Sequence, residues 1–212
     1  MENNFYKITG LSLTIGSFLA ITTMIIHPAG GNIEHIIELS KPLQFTHSLA
    51  IFCLPFILFG FYGLTHKLSD KWKISTLAFI IIGFGLVAAM LAALFNGLAL
   101  TFFLNQYSDN LEQNITIVKP IVSYGFAINK GLDYIFIVSF CLAIAIYSLI
   151  IIFSKKLPKL IGYLGITILI FAVIGAATNF VFTSHTGFRI FVFSIAGWIL
   201  YSGISLIKPK RQ

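Results

Sequence analysis

His27, His47, His185 and Asp133 are the side chains of this sequence best suited to chemistry. Imidazole nitrogens and a carboxylate oxygen form the kind of ligand set that holds zinc. A zinc ion held there would lower the pKa of a bound water, which could then attack a lipid ester, amide or phosphate, with Asp133 or Glu38 taking the proton. These residues are not a local motif, since the chain contains neither HExxH nor CxxC. Any shared chemistry therefore depends on the fold bringing distant segments together. Asn96, Asn129, Asn179 and Arg189 extend the same set into one that could anchor the polar end of a small ligand. Ser184 beside His185 does not suggest a serine nucleophile, because adjacent residues rarely face each other and no G-x-S-x-G elbow is present.

The elements that must position these groups follow from composition. Of 212 residues, 58% are hydrophobic and 10% charged, with a mean hydropathy of +0.94. A soluble domain carries about 25% charged residues, so this chain cannot build a surface that faces water all round. It reads as an integral membrane protein. The 17 Gly follow no period, and 6 Pro and 2 Cys are too few for a collagen-like or disulfide-stapled chain. The formal charge of +7 comes without a basic soluble module carrying stacking or base-reading groups, which excludes nucleic acid as a partner.

A helix crossing the hydrocarbon core needs about 20 apolar residues. Six stretches qualify, at 8–27, 46–66, 74–104, 120–153, 160–182 and 188–207. The expected fold is thus an all-α bundle of six transmembrane helices forming one integral membrane domain over 1–212. The first stretch is read as a retained helix. Its apolar run from Ile8 to Ile26 outlasts a signal-peptide core, and the leader before it has a single Lys.

Ten of the 14 Lys and Arg fall on one side of this topology: Lys7, Lys67, Lys71, Lys73, Lys155, Lys156, Lys159, Lys208, Lys210 and Arg211. The positive-inside rule then makes both termini cytoplasmic, with Trp72, Tyr163 and Tyr201 in an aromatic belt near that face. On the outer side, HPAGGNIEHIIELSKP groups Ile33, Ile36 and Ile37 on one helical face and Glu34 with Glu38 on another. It reads as a short interfacial helix capped by Asn32 and stopped by Pro42.

Helix length sets height. His27 lies 20 residues after Lys7, His47 lies 19 before His66, Asn179 lies 20 after Lys159 and Asp133 lies 21 before Ser154. Each interval rises about 30 Å, which places all four side chains at one level under the outer surface. Asn96, Asn129, Lys130, His185 and Arg189 belong near that layer. The plain alternative is that helix ends there are wet, so such groups simply bond to lipid, water and loop carbonyls. Lys130 and Asp133, three apart, are expected to form an intrahelical ion pair. Haem ligation by a His pair would need facing imidazoles.

Spans 3 and 4 exceed the bilayer and are expected to project together as a hairpin, with Pro120 in a first helical turn and Gly125 or Gly131 as the sites of any break. Gly85, Ala89, Ala93 and Gly97 on span 3, and Ser12, Gly16 and Ala20 on span 1, repeat every four residues. Such stripes let neighbouring backbones approach closely in lipid. Cys53 and Cys141 are expected to be small apolar groups rather than a disulfide.

The run SKKLPKLIGYLGI and the opening KITGLSL resemble small multi-helix integral membrane proteins of bacteria, a group with no assigned activity. The resemblance implies a bundle in the bacterial inner membrane and supplies no catalytic residue. The functional expectation is a membrane protein with an outward-facing polar and histidine-rich pocket for a small molecule, in binding or transport. A metal-dependent membrane hydrolase is one alternative. An accessory subunit that packs beside a membrane-protein partner, or on a second copy of itself, is another.

Overall fold

The computed structural model describes residues 2–69, 73–154 and 156–208, and among these every regular element is helical. Lys71, Trp72, Lys155, Lys210 and Arg211 lie outside them. The elements are α1 (Glu2–Ile26), α2 (Ile33–Glu38), α3 (Ser40–Ser69), α4 (Ile74–Ala92), a π-helical segment (Ala93–Ala99), α5 (Leu100–Asn105), α6 (Leu111–Ser154), α7 (Lys159–Ala177) and α8 (His185–Ile207). The run Ile74–Asn105 is one continuous rod, so six helices are long and apolar enough to cross a membrane. Large apolar side chains such as Phe18, Phe84, Phe153 and Val173 point outward and are more than 60% exposed, as a surface facing lipid allows.

α1 packs along both α3 and α8, while α4 packs on α6, and α7 lies on the outer side of α6 with few contacts elsewhere. The start of α1 and the end of α8 sit at the same end of the bundle, where Gly10 meets Gly203 and the Tyr6 hydroxyl lies 3.0 Å from His66 Nδ1. The bundle holds together through close approach. Gly60 and Gly63 of α3 lie against Leu13 and Thr9 of α1, and Gly16 lies against Ile57. Ser12 donates across the same seam to the Phe56 carbonyl at 2.8 Å. Toward the end of the bundle where α6 stops and α7 starts, Phe61 stacks on both Tyr147 and Trp198, with ring centroids 5.7 and 6.3 Å away. The polar atoms of this trio are satisfied, Tyr147 by Thr65 at 2.6 Å and Trp198 by the Ile161 carbonyl at 2.8 Å.

Several elements differ from expectation for identifiable reasons. α6 begins at Leu111, so Pro120 stands inside the helix and not in its first turn. Its ring removes the donor that the Thr116 carbonyl would use, but Pro120 is exposed where the rod projects. Gly125 and Gly131 do not break α6. Pro42 does not end α2; it lies in the first turn of α3, where its missing N–H costs nothing. α7 ends at Ala177 rather than 182, because Asn179 takes φ 58° and closes a C-terminal motif. Asn179 and Phe180 donate back to the Ala176 and Gly175 carbonyls at 3.3 and 2.8 Å.

The expected projection is present. α6, at 44 residues, is about 66 Å long, and its first turns meet α5 and α2 beyond the main bundle. There Ile36, Leu43, Leu100, Leu104, Val118 and Val122 form a second, smaller core. Asn32 caps α2 by accepting from the His35 N–H at 3.0 Å. Ile36 of the predicted apolar face is buried in this core, with Ile33 and Ile37 packed beside it.

Candidate functional site

Beneath that second core, a cavity of about 310 Å³ separates α1, α3 and α8 on one side from α4 and α6 on the other. From Ser17 to His27 along α1, and from Arg189 to Ile199 along α8, its walls run for ten residues, or about 15 Å. The deep part is apolar, built by Leu54, Ile57, Leu86, Phe140, Val192 and Ile199. The other end holds His27, His47, Asn96, Asn129, Asp133, His185 and Arg189.

The residues expected to share a level therefore converge on one space, except for Lys130, which is exposed on α6, and Asn179. Asn179 is exposed and serves the turn after α7, away from the cavity. The small-residue stripe on α4 divides its work. Gly85 packs on Ser139 and Phe140 of α6, and Gly97 packs on His47 of α3, while Ala89 and Ala93 between them line the cavity.

Each polar group has a clear local origin. His27 immediately follows α1, and its Nδ1 lies 2.7 Å from the Pro28 carbonyl oxygen. His47 sits two turns into α3 with its Nδ1 2.8 Å from the Leu43 carbonyl oxygen. The Nε2 atoms of the two rings face each other at 3.4 Å. His185 opens α8, and its ring centroid is 6.1 Å from that of His27. Ser184, the residue before it, caps α8 by accepting from the Gly187 N–H at 3.1 Å, so its hydroxyl is committed to structure. Arg189, one turn further on, donates through Nη2 to the His27 carbonyl.

Asp133 is only 8% exposed and accepts from Asn129 at 3.1 Å. The expected Lys130–Asp133 ion pair does not form; Lys130 is exposed on another face of α6. The i,i+4 amide replaces the i,i+3 ammonium because Asn129 and Asp133 both line the cavity wall.

Sequence reasoning did not foresee the π-helical segment. It carries Asn96 into the cavity and seats Gly97 so tightly on His47 that a Cβ there would lie 1.9 Å from the ring's Cγ. π-helical turns concentrate at functional sites. The glycine in an otherwise apolar run was the only hint of it. Buried Thr46 and Thr23 also line the space. The Arg189 Nε is buried and has no hydrogen-bond partner among the described residues.

Chemically, the polar end combines one guanidinium, one carboxyl group, three imidazoles and two amides above an apolar shaft. It can hold the head of an amphipathic molecule while the shaft takes its tail. The chain matches no protein-family model, no curated protein and no solved structure.

Proposed function

We propose that this protein binds a small amphipathic molecule, for storage, sensing or passage, in the cavity between its helices. The observation that carries the reading is the division of that cavity into an apolar shaft and a polar end. The Arg189 Nε, buried and without a partner, favours a head group that accepts hydrogen bonds, such as a carboxylate or a carbonyl. An unmet buried donor costs about 1–3 kcal/mol, and an accepting head would recover it.

Binding of a medium-chain fatty acid, measured by native mass spectrometry and titration in a mild detergent, tests the proposal. Ala89 lines the shaft, and Ala89→Phe fills it. That variant is expected to weaken binding at least about tenfold, equivalent to 1.4 kcal/mol. Val87→Phe, at a lipid-facing position, should leave binding unchanged. Equal binding by both variants, or none by the wild type for either a fatty acid or a fatty alcohol, overturns the reading.

The location we propose is the cytoplasmic membrane of a bacterium, with both termini in the cytoplasm and the cavity's polar end outward. This is supported by Lys7, Lys67, Lys73, Lys156, Lys159 and Lys208, which among the described residues belong to the end of the bundle where α1 starts and α8 stops. A green fluorescent protein fused after Gln212 should fluoresce, and an alkaline phosphatase fused there should be inactive. The reverse pair of results would invert the orientation.

A further inference from the structure

The facing histidines pose a problem of their own. A backbone carbonyl oxygen only accepts, so the Nδ1 atoms of His27 and His47, at 2.7 and 2.8 Å from the Pro28 and Leu43 oxygens, must each carry the ring proton. In neutral rings both Nε2 atoms are then bare lone pairs, and the fold holds them 3.4 Å apart with no hydrogen available to either. A positively charged particle between them would satisfy both lone pairs at once.

A shared proton is one solution, and the geometry argues against it. Even a charge-assisted N–H bond to oxygen spans only about 2.7–2.9 Å, and these two nitrogens stand farther apart, at 3.4 Å. The two rings also do not meet head on. Their centroids are 4.8 Å apart and their planes inclined at 63°, so the nitrogens approach a common point at an angle. Two imidazole nitrogens on one tetrahedral zinc, each at about 2.0–2.1 Å, stand about 3.4 Å from each other. Both rings are already oriented from behind by N–H to carbonyl bonds, the arrangement by which metal-binding histidines are held.

We propose that the Nε2 atoms of His27 and His47 bind a divalent transition-metal ion of the zinc class at the polar end of the cavity. Among the described residues, no group of three His, Cys, Asp or Glu is arranged to hold an ion. The site thus offers two protein ligands and leaves positions open toward the cavity. His185, exposed and without a hydrogen-bonding partner among the described residues, is free to swing in as a third nitrogen. Water or an incoming head group fills the rest. Asp133 and Arg189 line the same space and carry opposite formal charges, so the ion enters a wall with no fixed net charge. Imidazole donors select zinc, copper, nickel or iron over magnesium or calcium.

The probe is the metal alone, so the test stands apart from ligand binding in the shaft. Metal-stripped protein in detergent is titrated with zinc chloride by calorimetry, and with cobalt chloride by visible absorption, in excess magnesium. The wild type should bind one equivalent and give the intense visible bands of tetrahedral cobalt. His47→Ala and His27→Ala should each weaken binding at least tenfold and abolish those bands. His185→Ala should weaken it less.

A fourth variant guards against misfolding of the histidine mutants. Gly97→Ala keeps every proposed ligand residue in the sequence but pushes the His47 ring aside. It should lower zinc affinity, whereas Gly83→Ala, with open space around it, should not. Absence of cobalt bands in the wild type, or folded His27→Ala and His47→Ala proteins that bind zinc like the wild type, would overturn the proposal.

Discussion

Replacing Gly60 with leucine is expected to stop α1 from docking on α3, so that the protein no longer purifies as a single folded species in mild detergent. The reason is geometric. Even a lone Cβ at Gly60 would lie 2.2 Å from the Leu13 Cγ and 2.8 Å from the Leu13 backbone nitrogen. A side-chain clash can be relieved by rotation, but a backbone clash requires the helices to separate. Leu13 is itself fully buried, so separation also strips its contacts. Overpacking by a methyl or two costs about 1–3 kcal/mol, and Gly60→Ala should fall at the upper end of that range in an unfolding titration with sodium dodecyl sulfate. Gly83→Ala is the matched control, because its Cβ meets nothing within 4 Å. Removing a helix-interior glycine there should stabilise the protein by about 0.5–1 kcal/mol. If Gly60→Ala and Gly83→Ala unfold alike, close helix approach is not what holds this bundle together.

Phe61→Ala should be nearly as damaging. Phe61 is fully buried and packs against both Tyr147 and Trp198, its plane within 22° of each, while those two rings also touch each other at 6.4 Å. Its removal leaves a void bounded by two large rings that are pinned by their own hydrogen bonds to Thr65 and Ile161, and neither can slide in to fill it. Aromatic-to-alanine changes in such rigid surroundings cost about 3–5 kcal/mol. In a bilayer there is little hydrophobic drive between helices, so packing of this kind carries the stability. The same titration measures it, and near-ultraviolet circular dichroism should show the loss of the Trp198 environment. A loss under 1 kcal/mol would mean the trio can repack.

Much of this architecture can be read from the amino-acid sequence because lipid imposes simple rules. Apolar length located all six spans, and four-residue spacing of Gly, Ala and Ser marked real contacts, as Gly16 on Ile57 and Gly85 on Ser139 demonstrate. Rise per residue brought His27, His47 and Asp133 to one cavity. Height alone carries no azimuth, however. Lys130 and Asp133 share a level and not a face, and Asn179 was spent on a turn because an αL residue was needed where α7 stops. The start of α6 was misplaced because the polar stretch LEQNITIVK looks like a loop when judged by hydropathy. It is helical since Val118 and Val122 bury themselves in one core with Leu104 and Ile36, an environment that only the tertiary structure supplies.

The extra residue in the π-helical turn keeps the two cores in phase. Every position after Ala99 is rotated by about 100° from where an uninterrupted α-helix would have set it. With that offset Leu100 and Leu104 share a buried core with Ile36 and Val118. The small core and the main helical bundle are thus tuned to each other by a single surplus amino acid beside the histidines, and any event that moved that surplus along the rod would twist the roof relative to the chamber beneath it.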